Sequence, residues 1–529
     1  MSNGRIPLYD CIVLGAGIAG VTAARDLQDH GLKVLLVEGS HRIGGRMYSV
    51  RDFVKKDGKK VPIEAGAEYI HVEEKPRYQA FWDELARHGF SVSPLHKCGG
   101  ILRVPRNRLF FPTWSRTKML AEVVGVPDLW RVQSCLDRLE KFDPKSQADI
   151  TAREFAKRCA EKEDLSDRAR DLLAYTLTAH TPGGLDALSI AGFSADKIPD
   201  QLMEPTEYRL ELKGRPFELC GFDALPAKIE QQFRKAGGTT VKSRKNGAGA
   251  KVVSVARRSD GKIEVTTENG KSYVGKSAIS TFSAGMLDPV DGGGDQIFGT
   301  LLTKKKRDAL QVVRMGPITK FSLAFKERVW IDDGGNSAGH MSVLSNPRGK
   351  ARTFFSAFPR EHTGPHVLTG LLMNQDHQRI SKMTDQEAAR HVFAVLGRIY
   401  GRGRAWNMKD LVVGKDTPNG FEAHCWRQDW SRDPFAKGGN SFLKFIPKRQ
   451  RKIAAPKARE ALKNPCDTLP LFWAGEATAP AYHKDYQPLA VHGAFMSGRQ
   501  AAADVVHYLG EAGGDAARFK AYYKARYKG

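Results

Sequence analysis

A glycine-rich turn between two apolar strands near the start of the chain limits its fold more than any other stretch. Residues 10–38 read DCIVLGAGIAGVTAARDLQDHGLKVLLVE, and the second apolar run ends at Glu38. Gly15 permits the tight turn, Gly17 lets the backbone approach a pyrophosphate, and Gly20 lets the following helix lie close to the strand. Glu38, 18 residues beyond Gly20, is placed to accept hydrogen bonds from a ribose. This unit therefore predicts dinucleotide binding on a strand–helix–strand fold.

The continuation of the unit favours one dinucleotide over another. The stretch RIGGR, residues 42–46, adds a glycine pair and a second basic group just beyond the ribose acid. The extended pyrophosphate of FAD needs charge neutralisation and close backbone approach at this place. The small-residue turn EAGAEYIH, residues 64–71, suits a backbone that passes close to a flat ring. These features favour FAD over a nicotinamide nucleotide.

Later segments carry patterns of the same domain, so we predict that it is discontinuous. Residues 251–281 alternate as strands around a turn, and 471–507 read as a strand followed by an amphipathic helix. The predicted fold class is α/β, a Rossmann-type FAD-binding domain with an inserted α+β substrate-binding domain. We assign 1–95, 221–290 and 455–510 to the FAD-binding domain, 96–220 and 291–454 to the substrate-binding domain, and 511–529 to a basic C-terminal tail.

The chain is strongly basic, with 83 Lys and Arg against 59 Asp and Glu, a formal net charge of +24. Basic runs occur at 304–307 (KKKR), 448–452 (KRQRK) and in the terminal RFKAYYKARYKG. No nucleic-acid-binding motif accompanies them, so we interpret them as a solvated basic surface and do not expect nucleic-acid binding.

Cysteine usage and hydropathy predict a soluble cytoplasmic protein. Seven cysteines at scattered spacings, with no CxxC pair, indicate neither a disulfide framework nor a metal site and favour a reducing compartment. No apolar run is long enough for a membrane span, and the start of the chain lacks the pattern of a secretory signal. The composition is compatible with a homodimer.

Four motifs in this order resemble the flavin-dependent amine oxidase superfamily, which includes monoamine oxidases, polyamine oxidases, lysine-specific histone demethylases and L-amino-acid oxidases. They are GAGIAG through GGR at 15–46, GFDALP at 221–226, MGPITK at 315–320, and DPFAKGGNSF at 433–442 followed by AGEAT and VHGAFMSG. The resemblance implies non-covalent FAD. It also implies FAD contacts at Gly15, Gly17, Ala19, Gly20, Glu38, Gly45, Arg46, Gly66, Ala67, Val252, Phe435, Gly475, Glu476 and Val491.

The activity that the resemblance implies is oxidation of a carbon–nitrogen bond in a small-molecule amine or amino acid. Hydride would pass to flavin N5, the resulting imine would hydrolyse, and O2 would be reduced to H2O2. Lys320 is the implied catalytic residue, because in similar enzymes a lysine at this place holds a water against flavin N5. The alternative for Lys320 is an edge position facing solvent.

The cage positions depart from the family pattern. Gly439 stands where some relatives have a flavin-linking cysteine, which is why non-covalent FAD is expected. Asn440 and Ala490 stand where many amine oxidases have two aromatic walls. Phe435 is expected to cover part of the flavin ring, and Phe442 or Trp430 is the candidate for a displaced wall.

Substrate choice is left open between an amine and an L-amino acid. A longer stretch before the last helix offers Tyr482, His483, Asp485 and Tyr486 as substrate contacts, and Glu68 joins them from the 64–71 turn. Asp485 could pair with a cationic amine, whereas Lys484 or Arg427 could hold a carboxylate. The positive net charge mildly favours amino acids or anionic substrates over free polyamines.

Two other functions remain as more distant alternatives. A carbon–carbon desaturase or porphyrinogen-type flavoprotein would need a wide apolar tunnel and a membrane-facing surface. A non-catalytic flavin-binding partner protein would use the basic runs for association. Lys320 argues against the latter, because a scaffold needs no lysine at that place.

Overall fold

A computed structural model describes residues 7–70, 78–94, 99–103, 107–110, 125–144, 146–178, 181–196, 208–213, 220–245, 249–330, 340–344, 353–356, 365–401, 405–479 and 488–527. The described elements form two larger sheets, one beside the glycine-rich turn and one in the middle of the chain, with helices packed on each.

The first sheet joins strands from both ends of the chain. Its spatial order is Val252–Arg257, Ile263–Thr267, Ser272–Ser280, Leu8–Leu14, Val34–Glu38 and Thr239–Lys242, with Leu471–Trp473 paired to the end of Ser272–Ser280. Leu8–Leu14 is parallel to both of its neighbours, and its apolar side chains are buried on both faces from Cys11 onward. Because carboxyl ends of parallel strands meet at one edge, the turns after Leu14, Ser280 and Trp473 converge there.

Helices from three distant segments cover one face of this sheet. They are Ile18–Asp29, Ala224–Lys235 and Val491–Ala512, and they share an apolar core with Gln79–Arg87. The final helix, Ala516–Tyr527, packs on Val491–Ala512 and buries Phe519, Tyr522 and Tyr523. Most of residues 511–529, which we expected to be a basic tail, therefore belongs to this core. The reason is that the aromatic side chains of the helix form an apolar face that packs there.

Short helices pack on the opposite face, namely Ala284–Leu287, Gly294–Phe298, Gly299–Leu301, Lys304–Val312 and Ala455–Lys463. Lys304–Val312 was assigned to the inserted domain, yet Ala309 and Leu310 share a core with Leu35 of the first sheet. Lys306, within the KKKR run, is only 2% exposed, and its Nζ donates to the carbonyls of Leu462 and Asn464, both at 2.6 Å. One member of the predicted solvated run thus caps a helix C-terminus inside the protein.

The second sheet belongs to the inserted region. Its order is Cys425–Asp429, Ile318–Phe325, His366–Met373, Thr353–Ser356, His340–Leu344, Gly99–Arg103 and Asn107–Phe110. Helices Asn374–Ile380, Asp385–Tyr400 and Met408–Leu411 accompany it. Every residue of Ile318–Phe325 is buried, because this strand has a neighbour on each side and Asp385–Tyr400 packs in the same apolar core as Phe321 and Leu323.

A helical group and four pairs of short strands lie outside the two larger sheets. The helices are Val126–Glu140, Ala152–Lys162, Asp167–Thr178, Gly184–Ala187 and Ile190–Ala195, with a common apolar core. The paired short strands are Ser49–Lys56 with Lys59–Glu64, Phe90–Pro94 with Tyr208–Leu212, Val313–Gly316 with Asn440–Leu443, and Gly414–Thr417 with Gly420–Ala423. Among the helices of the described ranges, none combines the length and apolarity that a bilayer crossing requires.

A buried ion pair ties the first helix to Gln79–Arg87. Arg25 is 2% exposed, and its two terminal nitrogens donate to the Glu84 carboxylate at 2.7 and 3.1 Å. Burial opposes ionisation of Glu84, but hydrogen bonds and charge from His88 and Arg25 outweigh it and lower its pKa from 4.5 to about 2. Because the folded pKa is the lower one, the pair adds stability above about pH 4.5 and loses it as the pH falls towards 2.

We expect Glu84→Gln to lower the melting temperature at pH 7, because it removes roughly 3 kcal/mol of pH-linked stability and one of the two carboxylates that pair closely with buried Arg25, the other being Asp26. The gap from wild type should narrow by more than half at pH 3. Thermal unfolding across pH measures both effects. Asp52→Asn, which breaks the exposed Asp52–Lys60 pair, is the matched control and should change little. An equal gap at both pH values would contradict this linkage.

Candidate functional site

Three backbone segments lie against one another at the edge of the first sheet. Gly17 forms a parallel bridge with Gly44, whose N–H donates to the Ala16 carbonyl at 2.9 Å. Ala67 N–H in turn donates to the Arg46 carbonyl at 3.0 Å. A Cβ on Gly66 would lie 1.9 Å from that same carbonyl oxygen, so only glycine permits the approach. The turns at 15–20, 44–46 and 65–67 therefore form one continuous cradle.

Two helices begin at this cradle. Gly17 precedes Ile18–Asp29 and Ala490 precedes Val491–Ala512, and neither helix start has a side-chain cap among the described residues. The first N–H groups of a helix carry partial positive charge and have no partner within the helix. Both starts can therefore serve negative or electron-rich groups of a ligand.

Glu38 anchors the turn on either side of it. Its carboxylate accepts hydrogen bonds from the N–H groups of Ala16 and Ser40, each at 2.6 Å. Glu38 is 7% exposed, and burial raises its pKa above the ordinary value although the two N–H donors and Arg42 favour the charged form. Glu38, which the sequence predicts to contact a ribose, thus also holds the glycine loop in place.

A cavity of ≈ 370 Å³ extends from this cradle into the inserted region, within the range typical of small-molecule sites. Thirteen of the predicted cofactor contacts line it: Gly15, Gly17, Ala19, Glu38, Gly45, Arg46, Gly66, Ala67, Val252, Phe435, Gly475, Glu476 and Val491. Gly20 does not, because it lies under the loop, where a Cβ would be 1.9 Å from the Gly15 carbonyl oxygen. Lys320, Glu68, Asn440 and Ala490 also line the cavity.

The GGR and GEAT motifs meet in an ion pair. Arg46 Nη1 donates to Glu476 Oε1 and to the Gly439 carbonyl, both at 2.7 Å. Burial opposes ionisation of Glu476, but the positive charges of Arg46 and Arg459 outweigh it and lower the pKa of the carboxyl. Two motifs that lie more than four hundred residues apart therefore form one charged wall of the cavity.

Lys320 forms a second buried ion pair, inside the cavity. Its Nζ donates to Glu68 Oε2 at 2.5 Å and to the Glu64 carbonyl at 3.3 Å. The side chains of Lys320 and Glu68 are 7% and 4% exposed. Lys320 lies within the strand Ile318–Phe325 and pairs with Leu371 and Gln428 of its two neighbours, so it is not the solvent-facing edge lysine of the alternative interpretation.

The cage positions lie at the same cavity, and of the three predicted aromatics only Phe442 does not line it. Phe442 lies two residues beyond Asn440 and packs in the helical core, where its ring meets Gly183. Phe435 lines the cavity and packs against Gly39, the residue after Glu38. Trp430 lines the cavity and donates its Nε1–H to the Ala65 carbonyl at 2.8 Å.

The remaining substrate predictions have different outcomes. Tyr482, His483, Asp485 and Tyr486, as well as Lys484, lie outside the described residues. Arg427, the candidate for a carboxylate, donates to the Ile380 and Met383 carbonyls at 3.0 and 2.9 Å and pairs with Asp385. It does not line the cavity. Its guanidinium is bound instead at the end of the helix Asn374–Ile380 and the start of the helix Asp385–Tyr400.

Several residues at the site were not among those predicted from the sequence. Leu371 and Met373 line the cavity from the strand beside Lys320, and Tyr175 does so from the helix Asp167–Thr178. The period-two pattern of HVLTGLLM, 366–373, could have identified the first two as one face of a strand. No local signal singles out Tyr175.

The fold and the cavity together suit an extended, pyrophosphate-bearing dinucleotide. The glycine cradle, the two helix starts, the buried acid and Arg46 all fit such a ligand, and Lys320 lines the same cavity.

Comparisons with known proteins agree with that class. Residues 18–506 match the family described as flavin containing amine oxidoreductase. The chain is 25% identical over 513 residues to lysine-specific histone demethylase 1 homolog 2 of Oryza sativa subsp. japonica, covering 94% of this chain and 57% of that protein. It is 24% identical over 506 residues to polyamine oxidase 2 of Arabidopsis thaliana, covering 93% and 87%. The structure of cyclohexylamine oxidase from Brevibacterium oxydans IH-35A superposes with a TM-score of 0.70 at 17% identity, covering 96% and 100%.

Because the family match spans most of its length, the chain belongs to the flavin-containing amine oxidoreductase family. It is therefore a flavin-dependent oxidoreductase, and the fold class and the family resemblance predicted from the sequence are confirmed. The chain spans little more than half the length of the demethylase homologue, and most of the polyamine oxidase.

Proposed function

We propose that the protein is an FAD-dependent oxidase that oxidises the carbon–nitrogen bond of a small-molecule amine, with O2 as electron acceptor and H2O2 as product. The observation that carries this proposal is the buried Lys320–Glu68 pair, which shares one cavity with the glycine cradle and Glu38. A lysine and a carboxylate placed together can hold and move a proton beside a reacting group.

FAD would be held without a covalent bond. Gly439 offers no linking side chain, and no cysteine of the described ranges lines the cavity. Glu38 would accept hydrogen bonds from the adenosine ribose, and the starts of Ile18–Asp29 and Val491–Ala512 would face the pyrophosphate and the pyrimidine edge of the flavin. Arg46 and Glu476 would lie between the adenosine ribose and the flavin.

When bound, FAD supplies the acceptor for the hydride that leaves the carbon next to the substrate nitrogen. The chain's own groups then have separate tasks. Lys320 Nζ, fixed by Glu68 Oε2, would hold a water and exchange protons with it during substrate oxidation and reoxidation by O2. Leu371 and Met373 exclude bulk water from this end and strengthen the electrostatic effect of the pair.

The contacts of the described residues favour an amine over an L-amino acid. Arg427 is engaged away from the cavity, and Lys320 is neutralised by Glu68, so neither offers a free cation to a substrate carboxylate. Two of the similar proteins are named for polyamine and cyclohexylamine oxidation. We extend the common element, an amine, to this chain.

The test is anaerobic reduction of the purified holoprotein. Addition of monoamines, diamines, polyamines and L-amino acids is followed at the flavin band near ~450 nm, a property of the cofactor. We expect an amine to bleach the band and oxygen to restore it with release of H2O2. Bleaching by amino acids alone would replace the amine assignment, and a flavoprotein that no member of the panel reduces would refute the oxidase proposal.

Glu68→Gln tests the ion pair directly. The amide keeps the shape but loses the negative charge that holds Lys320, so we expect flavin reduction to slow roughly 10- to 100-fold, the loss of one charge-assisted hydrogen bond. Stopped-flow reduction at saturating substrate measures it. The matched control is Glu422→Gln, which breaks an exposed pair with Lys415 and should leave the rate unchanged. Equal rates of flavin reduction for Glu68→Gln and wild type would show that the charge of Glu68 has no part in the reaction.

A further inference from the structure

A fully buried arginine lies behind the charged wall of the cavity. Arg459, in the helix Ala455–Lys463, is 2% exposed. Its Nε and Nη2 donate to the two carboxylate oxygens of Asp196, each at 2.8 Å, in a two-pronged pair. Its Nη1 donates to Ser441 Oγ at 2.7 Å and to the Ala477 carbonyl at 3.1 Å. The guanidinium is thus fixed in orientation by three different segments.

Ser441 connects this arginine to the cavity. Its hydroxyl donates to Glu476 Oε2 at 2.6 Å, and its N–H donates to Glu476 Oε1 at 3.1 Å. Glu476 Oε1 also accepts from Arg46, whose side chain is 26% exposed and lines the cavity. The charges alternate along the row Arg46, Glu476, Arg459, Asp196, and Ser441 bridges the middle pair.

The row has a direction. Asp196 ends the helix Ile190–Ala195 deep in the inserted region, whereas Arg46 belongs to the glycine cradle. An ion pair buried as deeply as Asp196–Arg459 is a weak source of stability, because desolvation of both charges offsets their attraction. What such a pair does supply is a fixed charge in a fixed place. Here that charge lies behind the carboxylate that faces the cofactor cavity.

We propose that Arg459, held by Asp196, is a positioning residue for the cofactor: through Ser441 it fixes Glu476 and Arg46 in the geometry that binds FAD. This inference rests on the proposed use of FAD. It assigns to Arg459 no contact with the cofactor, and it makes FAD affinity depend on a residue outside the cavity.

The test compares FAD release from diluted holoprotein, followed by flavin fluorescence, in wild type, Ser441→Ala, Arg459→Lys and Arg459→Met. Ser441→Ala removes the bridge alone and should raise the dissociation constant about tenfold. Arg459→Met should raise it on the order of 100-fold, since it removes the cation that pairs with buried Asp196 and the positive charge behind Glu476. Arg459→Lys keeps the positive charge but loses the two-pronged contact with Asp196. Its dissociation constant should lie between those of Ser441→Ala and Arg459→Met.

A double variant separates positioning from general damage. If Arg459 acts through Ser441, Ser441→Ala combined with Arg459→Met should bind FAD no more weakly than Arg459→Met alone. Arg25→Lys, in the other buried arginine pair, is the matched control and should lower the melting temperature without changing FAD affinity. Should Arg459→Met fail to fold, Ser441→Ala and Arg459→Lys still give the answer.

Two outcomes would overturn the inference. Dissociation constants of Ser441→Ala and Arg459→Lys within about twofold of wild type, with only the melting temperature reduced, would show a purely structural role. If wild type retains FAD and these variants bind it equally tightly, this inference is refuted and the proposed function is unaffected. Wild-type protein that binds no FAD would refute both.

Discussion

Lys320→Met is expected to slow amine oxidation by roughly 10²- to 10³-fold while FAD stays bound. Methionine is close to lysine in length and suits the fully buried strand Ile318–Phe325, so the backbone has no reason to move. What disappears is the Nζ group that donates to Glu68 and to the Glu64 carbonyl. Without it, the water that Lys320 is proposed to hold loses its amine partner.

The measurement divides the reaction into halves, anaerobic flavin reduction by substrate and reoxidation of the reduced protein by O2. A change confined to one half assigns Lys320 to that half. Lys306→Met is the matched control, because Lys306 is also a buried lysine but donates to backbone carbonyls of a helix end. It should lower the melting temperature and leave both rates unchanged.

The methionine also removes the Lys320 cation from beside buried Glu68. Lys320→Met combined with Glu68→Gln removes both charges, so it should recover thermal stability lost by the single variant. Activity should not recover with it. If the double variant regained the wild-type rate, the lysine would serve only to neutralise Glu68, and its catalytic assignment would be wrong.

The parts of the site that the sequence predicts well are those set by local backbone geometry. The spacing of Gly15, Gly17 and Gly20, with the acid that ends the next strand, allows few folds other than the one observed. The same holds for the glycine pair in RIGGR, which crosses the first turn at Gly17. Such motifs carry their own conformation, so they can be located before the rest of the chain is placed.

The parts that the sequence does not predict depend on contacts between distant segments. Asp196 and Arg459 are 263 residues apart and have no motif in common, yet they form a two-pronged ion pair. Phe435 lines the predicted cavity and packs against Gly39, a contact that spacing along the chain does not reveal. Phe442 follows Asn440 by two residues, and that short distance takes it from the cavity into a helical core.

Glu38→Ala is expected to weaken FAD binding by roughly 10²-fold or more. The carboxylate accepts hydrogen bonds from the N–H groups of Ala16 and Ser40, and in the proposed FAD complex it would also accept from the ribose. Alanine removes both. Each charge-assisted hydrogen bond contributes about 1.5–3 kcal/mol, so the loss of the ribose contact and of the loop geometry together accounts for that factor.

A conservative variant and the pH dependence separate these two tasks. Glu38→Gln keeps the shape and one acceptor oxygen, so it should bind FAD more tightly than Glu38→Ala and more weakly than wild type. Because burial raises the pKa of Glu38 above its ordinary value, acidification protonates it early, and wild-type FAD affinity should begin to fall while the pH is still above about 4.5. Glu38→Gln should show no such fall. Asp10→Asn, an acid near the opposite end of the same strand as the glycine loop, is the control and should bind FAD as wild type does. Parallel pH profiles of wild type and Glu38→Gln would show that the charge of Glu38 has no part in holding the cofactor.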